Sequence, residues 1–566
     1  MTAPDQGMAR RAEMDFVLVL HTHLPYVLGH GKWPHGTDWL MEAAVDSYLP
    51  IIQAVQDLGR DGITAPVTLS ITPVLAAQLA APAFADELRA FLAQRVAACD
   101  EAAREIADHA ADAHLAPIVQ FWRAWHVARA AQYAALDGGI PGALRSLADS
   151  GAIELMSSAA THGFLPLLAR DESIQLQLLA GRDEHRRVFG RDANGCWLPE
   201  CAYRPAGMWA PRPGVAPRHR AGIESHLEGA GFRFVVIDSH LALAGEPLTA
   251  YARTRVGGGT SNAQSPYASY SIGDSPHGVR ALVRDPESTR QVWSRQEGYP
   301  GGGAYLEFHK IRFPGGLQLW SVTGLDTGLD GKQPYDAERA RALAGEHARH
   351  YTSLIEGISH RAREVPGGGI IAPFDTELFG HWWFEGSQFL AETYRALHQS
   401  RSVRAVTATE HLERTNDAIP IDLPAGSWGR DGDFSYWLND RTAWMWERLW
   451  ALEERFWSIA PAALALEHRS ARPVLAQAAR EFLLTQASDW QFMITAGEVA
   501  DYGERRFRLH ADATDALLGS LEAEIAGVGD LVGAARHAAE LHSRDDLFPN
   551  VLDAVERAAA RVAALA

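Results

Sequence analysis

The chain has 566 residues, 47% of them hydrophobic and 22% charged, the composition of a globular protein with several buried cores. Its 52 Lys and Arg stand against 70 Asp and Glu, a formal net charge of -18, and that sign repels nucleic-acid backbones and anionic lipid, so neither is expected as a partner. Three cysteines, Cys99, Cys196 and Cys201, are too few for a disulfide framework or a four-thiolate zinc site, and the longest early apolar run, 16–20, is too short for a signal peptide or a membrane span, so a cytoplasmic protein is expected.

Residues 1–13 read as a flexible leader. From there to about residue 420, short apolar runs rich in β-branched residues each lead straight into polar ones. They are 16–20 before His21-Thr22-His23, 67–71 before Thr72, 153–156 before Ser157, Ser158 and His162, and 195–198 before Glu200. Then come 232–237 before Asp238-Ser239-His240, 317–322 before Asp326, 369–374 before Asp375-Thr376-Glu377, and 403–406 before Glu410. Helical periodicity fills gaps between them, at 41–58, 173–189, 337–358 and 387–398. Strand then helix, repeated seven or eight times, predicts parallel β/α construction. Reactive residues gathered at the C-terminal ends of continuous apolar strands point to a β/α barrel spanning 14–420, and no G-x-G-x-x-G follows a strand to suggest a dinucleotide fold. The Ala-rich, helix-periodic stretch 81–149 is longer than a crossover needs and predicts an inserted helical subdomain. Gly- and Ser-rich 257–275 predicts a long loop on the functional rim. Past residue 424 strand signals stop, and helical patterns at 442–457, 473–486, 504–525, 530–542 and 551–566 predict an all-helical C-terminal domain over 421–566.

His21 and His23, two apart at a strand end, point the same way. Such a pair suits metal ligation, with His162, His240 and Asp375 as further ligands, and equally suits hydrogen bonding to neutral hydroxyls. Glu200 follows Trp197-Leu198-Pro199, and Asp375 follows a second buried run just before His381, Trp382 and Trp383. Two carboxylates from different strands, each in aromatic company, are what glycoside cleavage with retention requires: one attacks the anomeric carbon and the other protonates the leaving oxygen. The chain also carries 17 Trp, which either fill cores or form flat platforms for sugars. For Trp444, Trp446, Trp450 and Trp457 the helical spacing favours packing.

These residues carry a resemblance. His21-Thr22-His23-Leu24-Pro25-Tyr26, His162 after Glu154, Trp197-Leu198-Pro199-Glu200-Cys201-Ala202-Tyr203, the run from Ala372-Pro373-Phe374-Asp375 to His381-Trp382-Trp383, and Leu483-Leu484-Thr485-Gln486-Ala487-Ser488-Asp489-Trp490 resemble the ordered motifs of glycoside hydrolase family 57. The segments 30–36, Tyr305-Leu306-Glu307-Phe308-His309, and Ser427-Trp428-Gly429 through Trp437-Leu438-Asn439 are similar to the 1,4-α-glucan branching enzymes of that family rather than to its amylases. The resemblance implies a (β/α)7 barrel with an inserted helical subdomain and a helical C-terminal domain lining the cleft. It implies Glu200 as nucleophile and Asp375 as general acid/base, with no metal and no cofactor. His21, His23 and His162 would grip sugar hydroxyls beside Asp489, and Trp33, Trp293, Trp382, Trp428, Trp437 and Trp490 would form aromatic walls. A tyrosine on a loop after the nucleophile assists transfer in the family, and Tyr251, Tyr267 and Tyr270 compete for that part. The expected partner is an α-glucan such as amylose, amylopectin or glycogen, taken by a monomer or small homo-oligomer, with α-glucan hydrolase or 4-α-glucanotransferase as the alternative activity.

Overall fold

In the computed structural model, residues 14–565 are described apart from 213, 244–263, 274–277, 295, 314, 416 and 417. The apolar runs become β1 (Met14–Thr22), β2 (Val67–Ile71), β3 (Ile153–Ser158), β4 (Gly195–Trp197), β5 (Phe234–Ile237), β6 (Arg280–Val283) and β7 (Gly369–Asp375). They pair in parallel in the order β7-β1-β2-β3-β4-β5-β6. A parallel bridge between Arg284 and Ile371, with the Asp285 N–H donating to the Ile371 carbonyl at 2.7 Å, joins the two ends and closes a seven-stranded barrel. Both faces of the strands are covered, and every residue of β1 is buried, so these segments read as unbroken apolar runs.

Strand alternation decides what faces the barrel axis. Val17, Val19, Met156, Trp197, Val236, Leu282 and Ile371 form one interior cluster, whereas Phe16, Leu18 and Leu20 belong to the larger core under the surrounding helices. By the same period of two, His21 continues the Val17 and Val19 face, and Asp375 continues that of Ile371. Both therefore stand on the inner face at the C-terminal mouth.

Two expected strands differ. The sixth stave is Arg280–Val283, a four-residue run opened by an arginine and too short to signal itself, and not 317–322. In 317–322 only Leu317 and Leu319 bury fully apolar side chains, and that segment makes isolated bridges, Leu306 with Ser321, Arg312 with Leu317 and Trp320 with Pro334. The run 403–406 does form a strand, Val403–Ala405, but it pairs with the first residues of β1 outside the ring.

Between β2 and β3 lie the helices Pro73–Ala80, Pro82–Asp108, Ala116–Ala135 and Gly139–Asp149, three of them started by a proline in the first turn. From Ala443 onward the described elements are all helical: Ala443–Ala465, Ala471–Thr485, Asp489–Ala496, Ala500–Ile525, Leu531–Arg544 and Val551–Leu565. The first of these docks on the barrel through its tryptophans, as their spacing suggests. Trp450 Nε1 donates to the Leu167 carbonyl at 2.8 Å and Trp457 Nε1 to Ser173 Oγ at 2.9 Å. Among the described residues no helix is long and apolar enough to cross a membrane.

Candidate active site

The polar residues at the strand ends meet in one cleft. Glu200 lies in the one-turn helix Pro199–Cys201 directly after β4, with its backbone in the left-handed region (φ 62°), as are Cys201 (48°) and His162 (57°). Each such residue costs about 1–3 kcal/mol and persists only where its surroundings hold it. Here the Cys201 N–H donates to the Leu198 carbonyl at 2.8 Å, and the Trp428 N–H donates to the Glu200 carbonyl at 3.0 Å. The strained turn aims the carboxylate inward, where Oε2 accepts from Trp428 Nε1 at 2.9 Å and Oε1 accepts from Ser488 Oγ at 3.1 Å.

Behind Glu200 runs a chain of hydrogen bonds with one direction. His21 Nδ1 pairs with Ser70 Oγ at 3.2 Å, His21 Nε2 with His162 Nε2 at 3.1 Å, and His162 Nδ1 with Ser488 Oγ at 3.0 Å. Since the Ser488 hydroxyl donates to the carboxylate, it must accept from His162 Nδ1–H, so His162 Nε2 accepts from His21 Nε2–H and His21 Nδ1 accepts from Ser70. Burial, then the neighbouring histidine charges, holds His21 and His162 well below the usual imidazole range, which fits two neutral rings. His23 goes the other way: burial opposes its charge, but the Asp489 carboxylate, 3.0 Å and 3.1 Å from Nε2, outweighs it and raises the pKa.

Burial also raises both inward carboxyls. Glu200 is pushed up to about 7, with the Trp428 bond lowering it and the Asp489 and Asp375 charges adding to the rise. Asp375 is pushed up to about 6, moderated by Arg284 and His23. Arg284 is itself fixed by Asp238 at 3.0 Å and lies 5.6 Å from the Trp428 ring. The Asp375 charge adds to the rise at Glu200, so ionisation of the one carboxyl disfavours that of the other. Two donors favour the ionised form on Glu200, whereas among the described residues no side chain hydrogen-bonds Asp375, which leaves that carboxyl free to hold the proton.

Atoms of His23, His162 and Asp489 lie within 4.8 Å of one another, close enough to consider a metal. The two imidazoles stack at 3.9 Å with planes 22° apart, and each of their ring nitrogens is engaged in a hydrogen bond. His240 is not drawn to this cluster; it is bound to Asp238 at 3.1 Å and to the Gly432 carbonyl at 3.0 Å.

Of the expected aromatic walls, Trp428 touches the Glu200 carboxylate, Trp382 is 44% exposed with its ring 6.3 Å from the half-buried Trp293, and Trp33 stands 71% exposed. Trp437 and Trp490 do not line the cleft. Trp437 is buried against Phe164 at 4.7 Å, and Trp490, also buried, donates Nε1 to the Leu484 carbonyl at 2.8 Å beneath the Arg506 guanidinium. Their flat faces are consumed by packing. Tyr251 lies outside the described residues, as does much of 257–275. Tyr270 is buried in a short strand with its hydroxyl donating to the Ser265 carbonyl at 2.7 Å, and Tyr267 lies partly buried in a turn, its carbonyl accepting the Gly369 N–H at 2.9 Å. Sequence reasoning missed Ser488, Ser70 and Arg284 as parts of the site. Ser488 sat inside a quoted motif, but serine carries no chemical signature until its partners are known.

The model of glycosyl hydrolase family 57 matches residues 17–424, and that of the 1,4-alpha-glucan branching enzyme C-terminal region matches 449–554. The chain belongs to family 57. Among its family 57 relatives, the 1,4-alpha-glucan branching enzyme of Thermococcus kodakarensis is 38% identical over 87% of this chain and 71% of its own length. The crystal structure of a GH57-type branching enzyme from Pyrococcus horikoshii superimposes with a TM-score of 0.86 at 35% identity, covering 96% of this chain and 97% of that one. That of the alpha-amylase AmyC from Thermotoga maritima gives 0.78 at 25%, covering 96% and 99%.

Proposed function

We propose that this family 57 protein is a retaining 1,4-α-glucan branching enzyme whose reaction runs on Glu200 and Asp375. The observation that carries the reading is a carboxylate pair at the barrel mouth whose donor, Ser488, comes from the helical region that matches the branching-enzyme C-terminal model. Glu200 attacks C1 of an α-1,4-linked glucose while Asp375 gives its proton to the departing glycosidic oxygen, leaving a β-linked glycosyl ester. Asp375, now ionised, takes the proton from the 6-hydroxyl of an acceptor glucan as that oxygen displaces Glu200, forming an α-1,6 branch with net retention. Water at the same step gives hydrolysis. Transfer prevails where an acceptor chain is held in line and water is excluded. Neutral His21 and His162 hold the Ser488 hydroxyl as donor to Glu200, and His23 is held by Asp489, so the rings beside the pair draw no proton from it.

The test is to incubate the protein with amylose, follow reducing ends and debranch the product with isoamylase. New α-1,6 linkages well in excess of net reducing ends support the reading, whereas reducing ends without branches replace it with an α-glucan hydrolase. Glu200→Gln and Asp375→Asn should each lower turnover roughly 10³-fold or more while the fold, followed by circular dichroism, is retained.

A further inference from the structure

The rim beyond Asp375 carries rings that the catalytic constellation does not use. The chain turns sharply at Gly380, where φ is 150° and a Cβ would stand 1.9 Å from the Asp46 carbonyl oxygen, so only glycine permits the approach. Past that turn come His381 and Trp382. Trp382 lies 6.3 Å from Trp293 on one side and 6.5 Å from His381 on the other, and His381 meets Phe308 edge-on at 5.5 Å. Three separate segments thus supply one continuous line of rings. Trp382 is 44% exposed and Phe308 36% exposed, and such a line of aromatic surface on a soluble protein calls for a ligand with apolar faces.

Phe308 is held in place by unusually strong means for a surface residue. Its neighbour Glu307, itself buried, takes Lys332 Nζ at 2.7 Å and the His309 N–H at 2.9 Å, and the Glu307 N–H donates to the Trp320 carbonyl at 2.9 Å. Lys332 also donates to the Val322 carbonyl at 2.7 Å. An ion pair this enclosed adds little net stability but fixes geometry, which is what a rigid platform needs. Burial pushes His381 down to about 4, so between the two exposed rings stands a neutral imidazole able to pair with a hydroxyl. Alternating apolar faces and neutral hydrogen-bonding groups match a glucose chain rather than a charged ligand.

We infer that Phe308 extends the Trp293 and Trp382 line into an outer α-glucan platform on the Asp375 side of the cleft, engaged by long chains and out of reach of short ones. The inference rests on the α-glucan reading above. Asp375 serves the leaving chain first and the acceptor second, so a platform beyond it meets both of those chains and not the glucose bound to Glu200.

The experiment uses the full chain carrying Glu200→Gln to stop turnover, with maltotriose and maltoheptaose titrated calorimetrically into it and into versions that also carry Phe308→Leu or Phe308→Tyr. Leucine keeps the apolar bulk but has no ring face, so maltoheptaose should bind roughly five- to tenfold more weakly, while tyrosine restores the affinity of the parent. Maltotriose should bind all three within about twofold. Maltoheptaose affinity unchanged by leucine, or an equal loss for both sugars, overturns the platform. If the unmodified enzyme makes no branches from amylose, the branching reading falls, and the maltoheptaose series still decides the platform.

Discussion

Ser488 shows how much of this site depends on a single hydroxyl. It gives its proton to Glu200 Oε1 and takes one from His162 Nδ1, so it stabilises the ionised carboxylate and sets the tautomers of two histidines behind it. Its removal should act on ionisation more than on folding. In Ser488→Ala the acidic limb of the pH profile for kcat/KM, governed by Glu200 with its pKa near 7, should move to higher pH, because a donor to the charged form is gone. Ser488→Thr keeps the hydroxyl and should keep the wild-type limb. A limb that stays put in the alanine variant would show that the bond does not govern the ionisation of Glu200. Glu200 and Asp375 could be singled out in the sequence as a pair, each after a buried run in aromatic company and inside a motif, whereas Ser70, Arg284 and Ser488 could not, since their parts exist only through partners 49, 46 and 288 positions away.

The element that joins the two halves is the helix Ala443–Ala465. Its Glu453 is completely buried and accepts the Ala169 N–H at 2.7 Å and the Arg170 N–H at 3.3 Å, at the entrance to the helix Asp171–Phe189 that follows β3. A carboxylate beside these otherwise unbonded amides satisfies the N-terminal end of a barrel helix from another part of the chain. Glu453→Ala leaves two buried N–H groups without an acceptor and should lower stability by about 2–4 kcal/mol, read as a fall in thermal midpoint, whereas Glu453→Gln keeps one acceptor and should lose about half as much. Equal midpoints in wild type and alanine variant would refute this account of the docking. The tryptophan spacing of this helix was readable as packing from sequence. Which barrel carbonyls its indoles meet was not, because a helical period reports a face and not what lies against it.

Across the whole molecule, the catalytic mouth is held at a cost to stability. Glu377 is buried and Glu200 and Asp375 are partly so, and desolvation pushes Glu200, Asp375 and Glu377 up to about 7, 6 and 8, Glu377 while accepting the Tyr48 hydroxyl at 2.6 Å. A carboxyl whose folded pKa lies above its unfolded one favours the fold below the unfolded value, and that contribution is lost as pH rises through the folded value. For Glu200 the window runs from 4.5 to about 7. Glu200→Gln carries no charge to bury, so it should be more stable than wild type by on the order of 2–3 kcal/mol near pH 8, with the difference fading as pH falls through that window. Thermal midpoints measured from about pH 4 to pH 8 check this, and a constant difference across the range would count against it. The rest of the structure thus supports an arrangement of a few groups that the fold would be more stable without.

The sequence by itself determined the strand and helix alternation, the helical C-terminal region, the two carboxylates and the histidine pair, because each rests on local periodicity or on residue chemistry that needs no partner. Tertiary structure was needed to show that the sixth stave is Arg280–Val283, that Trp437 and Trp490 pack instead of lining the cleft, and that His21 and His162 stand neutral in a chain ending on Ser488. The reason is common to all three. Pairing across a barrel, burial of an indole face and the direction of a hydrogen bond are properties of neighbours far apart in the chain, and no local pattern encodes which neighbours will meet.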